Sequence, residues 1–232
     1  MKKHIVVFTG AGVSAESGLK TFRDSDGLWE QYPIEEVATP EAWERNPKLV
    51  LEFYNKRRRQ CMEAKPNEAH KLIADLEKKY KVSVITQNID DLHERAGSKN
   101  VLHLHGEIMK VRCSVEEHLI YPINKWNLEW GEKCENGHQL RPHIVWFGEP
   151  VPMMPKAIEI VERADILIVV GSSLVVYPAA SLVFYAPSDI PKYYIDPGEL
   201  TNSSFNHLVH IKKKATEGMR ELYDLLMNNV WV

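Results

Sequence analysis

Short apolar runs recur along the chain: "HIVVF" at 4–8, "VSVIT" at 82–86, "VLHLH" at 101–105, "HIVWF" at 143–147, "DILIVV" at 165–170, "YYI" at 193–195 and "HLVHI" at 207–211. Several are continuous rather than alternating. A strand with one wet face alternates, so a continuous run marks a strand covered on both sides. Between them, "NEAHKLIADLEKKY" 67–80, "PKAIEIVERA" 155–164 and "EGMRELYDLL" 217–226 place apolar residues at helical spacing. Strand alternating with helix predicts an α/β fold, a mostly parallel Rossmann-like sheet with helices on both faces.

Two stretches break that rhythm. Residues 30–66 hold no convincing strand, and "NPKLVLEFYNKRRRQCME" predicts a helix opening near Pro47. Residues 109–141 are polar and aromatic with scattered Cys and His, and read as an irregular insert held by packing of Tyr121, Trp126 and Trp130. The expected division is a Rossmann-like domain from 1–29, 81–108 and 142–232, with 30–80 and 109–141 forming a small lobe. The cleft between the two is the default binding site.

A chain of 232 residues is long enough for one large domain with a buried core and a smaller lobe. The formal net charge is −3 and the longest basic run is Lys56–Arg59, which argues against nucleic acid as a partner. No apolar segment approaches bilayer-spanning length, so no membrane partner is expected. In "MKKHIVVF" the apolar stretch stops at Phe8, as in a first strand rather than a signal peptide. Three cysteines, at 61, 113 and 134, make no disulfide framework and suit a reducing cytoplasm. A monomer is expected.

The first run leads into "FTGAGVSAESG", residues 8–18. Gly10-Ala11-Gly12-Val13-Ser14-Ala15 fits G-x-G-x-x-G/A, in which glycines permit a tight turn and bring backbone N–H groups close to a pyrophosphate. Ser14 and Ser17 are candidate helix caps. About 20 residues on, an ordinary dinucleotide domain offers an acid to the ribose. This chain reads "TFRDSDGLW" there, a loop, which argues against a hydride-transfer dehydrogenase.

Six segments, "GAGVSAESG" 10–18, "TFRDSDGLW" 21–29, "TQNIDDLHERAG" 86–97, "HLHGE" 103–107, "PHIVWFGE" 142–149 and "VVGSSLVVYPA" 169–179, together resemble the sirtuin family of NAD-dependent protein lysine deacylases. They occur in family order and cover most of the chain. The resemblance implies NAD as a consumed co-substrate, acylated lysines on proteins as partners, and nicotinamide and O-acyl-ADP-ribose as products. Mono-ADP-ribosyl transfer and a non-catalytic NAD or ADP-ribose sensor are the alternative readings, and a base in the site favours catalysis over sensing.

On residues alone, His105 is either a satisfied histidine at a strand end or a group that moves protons near neutral pH. The resemblance makes it the general base. His103 shares its strand face by parity and is the weaker candidate. Asn88 reads as an N-cap, and Asp90 or Asp91 as a first-turn charge. The resemblance instead assigns Gln87, Asn88 and Asp90 to the pocket for nicotinamide and its ribose, with Asn88 and Asp90 joining His105 in the chemistry. It also implies cofactor contacts from Gly10, Ala11, Gly12, Ser14 and Ala15. In the "TFRDSDGLW" loop it adds Thr21, Phe22 and Arg23, with Phe22 shielding the reactive centre and Arg23 approaching the phosphates. Gly171, Ser172 and Ser173 would meet the adenosine side, and Asp196 and Ala215 complete the set. Asp196 stands where many relatives carry asparagine, and a carboxylate still accepts from ribose hydroxyls.

"HIVWFGE" reads by pattern as a core strand. In the family its end forms an acyl-lysine tunnel and a dock for the substrate backbone, which implies substrate roles for Val145, Phe147, Gly148 and Val151. On the helix expected after Pro47, Val50, Tyr54, Arg57 and Cys61 fall on one stripe. Arg57 can pack its stem and snorkel to water, or grip a carboxylate bidentately beside Tyr54. Sirtuins with this Tyr-x-x-Arg pair resemble desuccinylases and demalonylases, so acidic acyl groups are the expected substrates, with acetyl also accepted. The family usually carries two CxxC pairs on a structural zinc. Here Glu116 follows Cys113 and Gly137 follows Cys134 at the ligand offsets, while His118 and His138 lie at unusual spacings. With half the thiols missing, no structural zinc is expected.

Overall fold

The computed structural model describes residues 2–20, 28–29, 32–199 and 207–228. Along the chain run β1 (His4–Thr9), α1 (Gly12–Ala15), β2 (Leu28–Trp29), β3 (Tyr32–Pro33), α2 (Ile34–Val37), α3 (Pro40–Arg45), α4 (Pro47–Glu63), α5 (Glu68–Asp75), β4 (Lys81–Thr86), α6 (Leu92–Arg95) and β5 (Val101–His103). They continue with β6 (Gly106–Cys113), β7 (Ile120–Pro122), β8 (Leu140–Ile144), α7 (Met154–Val161), β9 (Ile166–Val170), β10 (Lys192–Ile195), β11 (Leu208–Ile211) and α8 (Ala215–Met227).

Six strands pair in the order β11-β10-β9-β1-β4-β5, all parallel. Counted along that sheet alone, the order is 3-2-1-4-5-6, which reverses direction between β1 and β9 and opens a crevice beyond their carboxyl ends. The continuous apolar runs have the expected cause. Every residue of β1 and β9 is buried, because helices cover both faces. Ile5 and Val7 share a core with Ala69, Leu72 and Ile73 of α5 and with Met219 and Leu222 of α8. Val6 and Phe8 point the other way, into a core with Ala157 and Val161 of α7 and Leu182 of the 3₁₀ turn Ala179–Tyr185.

The run at 143–147 behaves differently from the others. β8 ends at Ile144 and pairs antiparallel with β6 in a separate three-stranded sheet, β7-β6-β8. Beyond it the chain leaves the sheet: Val145 N–H donates to the His105 carbonyl at 3.0 Å and Phe147 N–H to the Ala38 carbonyl at 3.0 Å. Its apolarity reflects Ile144 and Trp146 entering a further core with Val50, Phe53 and Tyr54 of α4, rather than a strand buried on two faces.

The 109–141 stretch is likewise not irregular, since β6 runs to Cys113 and β7 lies within it. Trp126 and Trp130 are about half exposed and do not form its core, although Trp130 packs against Trp43 with ring centroids 6.5 Å apart. Leu51, Val111, Ile123 and Leu128 do, with Tyr121 packed against them. Helix α5, placed by the sequence in the small lobe, shares its core with the large sheet, and the boundaries at 108 and 142 fall inside β6 and β8.

Helix α4 begins as its sequence requires. Asn46 caps it by accepting from Leu49 N–H at 3.2 Å, and Pro47 fills a first-turn position that needs no N–H donor. Its fully buried Arg58 donates to the Ile108 carbonyl at 2.7 Å, to Asn55 Oδ1 at 2.9 Å and to the Trp126 carbonyl at 3.0 Å. No helix among the described residues is long and apolar enough to cross a membrane.

Candidate active site

A cleft of about 580 Å³ opens at the reversal point, between the large sheet and the α4 side. The loops after β1 and β9 form its floor and interlock through glycine. A Cβ on Gly12 would sit 2.7 Å from Gly171 Cα, and one on Gly171, whose φ is +61°, would sit 2.3 Å from Val13 N. Gly12 N–H donates to the Gly171 carbonyl at 2.8 Å. Gly10, Ala11, Gly12, Ser14 and Ala15 line one side of this floor, and Gly171, Ser172 and Ser173 the other. Asp196, at the end of β10, and Ala215, at the start of α8, face the same cleft. Thr21, Phe22 and Arg23 lie outside the described residues.

Ser14 is not a cap. Its hydroxyl donates to Asp90 Oδ2 at 3.0 Å and accepts from Asn88 Nδ2 at 3.1 Å. Asn88 is not an N-cap either, because α6 opens only at Leu92 with Asp91 at its cap position; the Asn88 Nδ2 donates to Ser14 and to the Gly10 carbonyl at 3.2 Å. Asp90 Oδ1 accepts the Leu92 N–H at 3.1 Å, and burial pushes its carboxyl above the usual range against the pull of these hydrogen bonds. Asp91 does take the bland role, pairing with Arg95 at 3.3 Å on the surface of α6. Behind this layer, His70 Nδ1 accepts the Asn67 N–H at 3.3 Å, which leaves Nε2 to donate toward Ser14 Oγ at 3.4 Å. Thr9, Thr86 and His93 extend the buried polar cluster.

His103 and His105 separate because β5 ends at His103. His103 Nδ1 bonds the Asn88 carbonyl at 2.9 Å and Nε2 bonds Glu94 at 2.8 Å. Burial lowers its pKa, but the Glu94 carboxylate outweighs that and raises it above the ordinary histidine value. Both nitrogens are occupied, so it is no base. His105 Nδ1 lies 3.0 Å from the Gln87 carbonyl. A carbonyl only accepts, so Nδ1 carries the proton and Nε2 of the neutral ring keeps its lone pair. Burial lowers the His105 pKa below 6.5, partly offset by that hydrogen bond, so the ring is neutral at pH 7. Gly106 next to it has φ +84°, and a Cβ there would lie 2.1 Å from the His143 carbonyl oxygen. Gln87 Nε2 donates to Ser172 Oγ at 2.9 Å, tying this wall to the floor.

The opposite wall comes from α4 and the segment after β8. Tyr54 and Arg57, 0% and 6% exposed, both line the cleft, with Cys61 one turn further on. Val145, Phe147, Gly148 and Val151 line the adjoining part. Burial pushes the Tyr54 phenol far above its ordinary range, against the opposing pull of the Trp146 indole and of the Arg141 and Arg57 charges.

The Sir2 family model matches residues 10–178, the span that holds the glycine turn, the His105 wall and α4. The chain belongs to the Sir2 family. A protein from Bacteroides thetaiotaomicron named NAD-dependent protein deacylase is 50% identical over 231 residues, covering 97% of this chain and 98% of the relative. One from Helicobacter pylori with the same name is 51% identical over 225 residues, covering 97% and 98%. Among solved structures, a Sir2 homologue in complex with NAD superposes with a TM-score of 0.89 at 40% identity, covering 99% of this chain and 91% of that one.

Sir2 membership raises the zinc question directly. Cys113 and Cys134 hold their sulfurs 2.9 Å apart, the Glu116 N–H donates to Cys113 Sγ at 3.4 Å, and the Glu116 carboxylate completes a group within 4.8 Å. A structural zinc takes four donors in a tetrahedron, and among the described residues these are three. His118 and His138 are not among them. The residues present do not fit the four-thiol site of the family.

Sequence reasoning missed several parts of this Sir2 site. His70 carried a legible signal, since Asn67 and His70 have capping-box spacing and both halves of that box form. Glu149 did not. It accepts from Trp146 N–H at 2.7 Å and from Arg141 and Arg112 at 3.0 and 3.1 Å, partners that only the tertiary fold brings together.

Proposed function

We propose that this chain removes acidic acyl groups, succinyl and malonyl, from protein lysines, accepting acetyl as well. NAD-dependent deacylation itself follows from membership of the Sir2 family and from the relatives that bear that name. The observation that carries the finer reading is that Tyr54 and Arg57, one helical turn apart on α4, both line the cleft that holds His105. A guanidinium beside a phenol matches the two oxygens of an acyl carboxylate.

Gly10, Gly12 and Gly171 let the two floor loops close on each other where a Cβ would meet the facing backbone, and the cleft they floor has room for a dinucleotide and an acyl chain. NAD supplies, when bound, an activated ribose carbon that accepts the acyl oxygen as nicotinamide departs. Asn88 and Asp90, locked by Ser14, present an amide and a carboxylate on the nicotinamide side. His105 Nε2 is the proton acceptor, its tautomer held by Gln87. The substrate backbone would run along Val145, Phe147, Gly148 and Val151, which line the adjoining part of the cleft.

A peptide panel bearing acetyl-, malonyl- and succinyl-lysine, assayed with NAD on wild-type and Arg57→Met protein, tests the reading. Desuccinylation should fall at least about tenfold more than deacetylation, the scale of a lost charge-assisted bidentate contact. Equal losses on the two substrates would refute the acyl preference.

A further inference from the structure

Directly behind the acyl wall lies a charged cluster that the deacylation chemistry does not use. Arg112 and Arg141, each 6% exposed, converge on the single carboxylate of Glu149 at 3.1 and 3.0 Å. Glu117 reaches Arg112 only at 3.5 Å, from a side chain that is 67% exposed. The Nε of each guanidinium is buried without a partner among the described residues. Two buried cations against one partly exposed carboxylate leave the inner part of the cluster net positive, in a setting where solvent screens the arginines little.

The cluster is also positioned to act on the cleft. The Arg141 guanidinium lies 3.3 Å from the centroid of the Trp146 ring, and Trp146 in turn packs against Tyr54 with ring centroids 6.5 Å apart. Trp146, Tyr54 and Glu149 line the cleft, so Arg141 sits one aromatic layer behind it. Glu149 has a second task, because its other oxygen anchors the Trp146 N–H.

We infer that Arg141 and Glu149 set the acyl-charge preference, the Arg141 cation drawing an acidic acyl group in and the Glu149 anion moderating that pull. The inference rests on the reading of Tyr54 and Arg57 as the acyl-carboxylate pocket. A cation within about 10 Å, at an effective dielectric near 20, changes the binding of a unit charge by about tenfold. The effect is selective, since a neutral acetyl group feels no net force from it. A purely structural brace would act on both substrates alike.

The test uses kcat and KM for matched succinyl- and acetyl-lysine peptides at saturating NAD, with wild type, Arg57→Met, Arg141→Met, Arg141→Lys and Glu149→Gln. Arg141→Met should lower the succinyl-to-acetyl ratio of kcat/KM about tenfold, chiefly through succinyl KM, and Arg141→Lys should restore most of it. Glu149→Gln keeps an acceptor for the Trp146 N–H and should raise the ratio. The opposite signs are the signature. If both variants lower the ratio, or shift both substrates by one factor, the cluster is a brace and the inference is overturned. Should Arg141→Met fail to fold, the sign of the Glu149→Gln change decides alone. A wild type without acidic preference, or an Arg57→Met variant that loses both activities equally, defeats the pocket reading itself. A preserved Arg57 effect with an unmoved ratio in the cluster variants defeats only this inference.

Discussion

His70 is fully buried, and burial lowers its pKa from 6.5 to about 4. Its folded-state pKa lies below its unfolded value, so its contribution to stability is complete above pH 6.5 and is lost as pH falls toward 4. At pH 5 an unfolded chain carries a proton on this ring and the folded chain does not. At 1.36 kcal/mol per unit of pKa difference, this costs about 2 kcal/mol relative to pH 7.5. Glutamine in its place cannot titrate, yet its side-chain oxygen still suits the capping box with Asn67. Urea unfolding of wild type and His70→Gln at pH 7.5 and pH 5.0 measures the effect. Wild type should lose about 2 kcal/mol more than the variant across that interval. His93, also buried and packed on His70 with ring centroids 4.8 Å apart, titrates in both proteins, so its own loss enters both measurements. Equal losses would mean that the folded protein protonates His70 freely, and the assignment of a neutral, Nδ1-accepting ring would fall.

His105→Ala should cut turnover by at least about a hundredfold while calorimetry shows NAD binding little changed, as expected for a lost base. Because burial lowers the His105 pKa, the acid limb of kcat/KM in the wild type should fall below pH 6.5 and disappear in that variant's residual rate. Gly106→Ala should lower Tm, since the left-handed backbone alone costs about 1–2 kcal/mol and the added Cβ meets the His143 carbonyl. Prolonged chelation should leave Tm unchanged, because Cys113, Glu116 and Cys134 fall one donor short of a structural zinc; a metal-dependent Tm would show that a fourth ligand completes the site.

The large sheet was legible because its central strands are buried on both faces and so are written as unbroken apolar runs. The turn at Gly10–Ala15 was legible because only glycine fits where two loops touch. Helix α4 announced itself through Asn46-Pro47 and the stripe that carries Tyr54 and Arg57. The run at 143–147 misled for a physical reason: Trp146 is buried by a helix of the other lobe, and apolarity records burial without saying against what. Parity put His103 and His105 on one face, but parity ends with the strand, and β5 stops at His103. Ser14 and Asn88 resembled caps because hydroxyls and amides serve any nearby donor or acceptor. Their true partners are each other and Asp90, across 74 and 76 residues of chain. Glu149 and its two arginines left no local mark.

Arg58 gives the small lobe a mechanical character. Its one guanidinium clasps a main-chain oxygen of β6 and another of the loop at Trp126, so the helix, the strand and that loop share a single rivet. Displacement of the loop must drag α4 along, and α4 carries Tyr54 and Arg57 into the wall of the cleft. Swapping that loop for a relative's would therefore re-aim these two cleft-lining side chains without altering either of them.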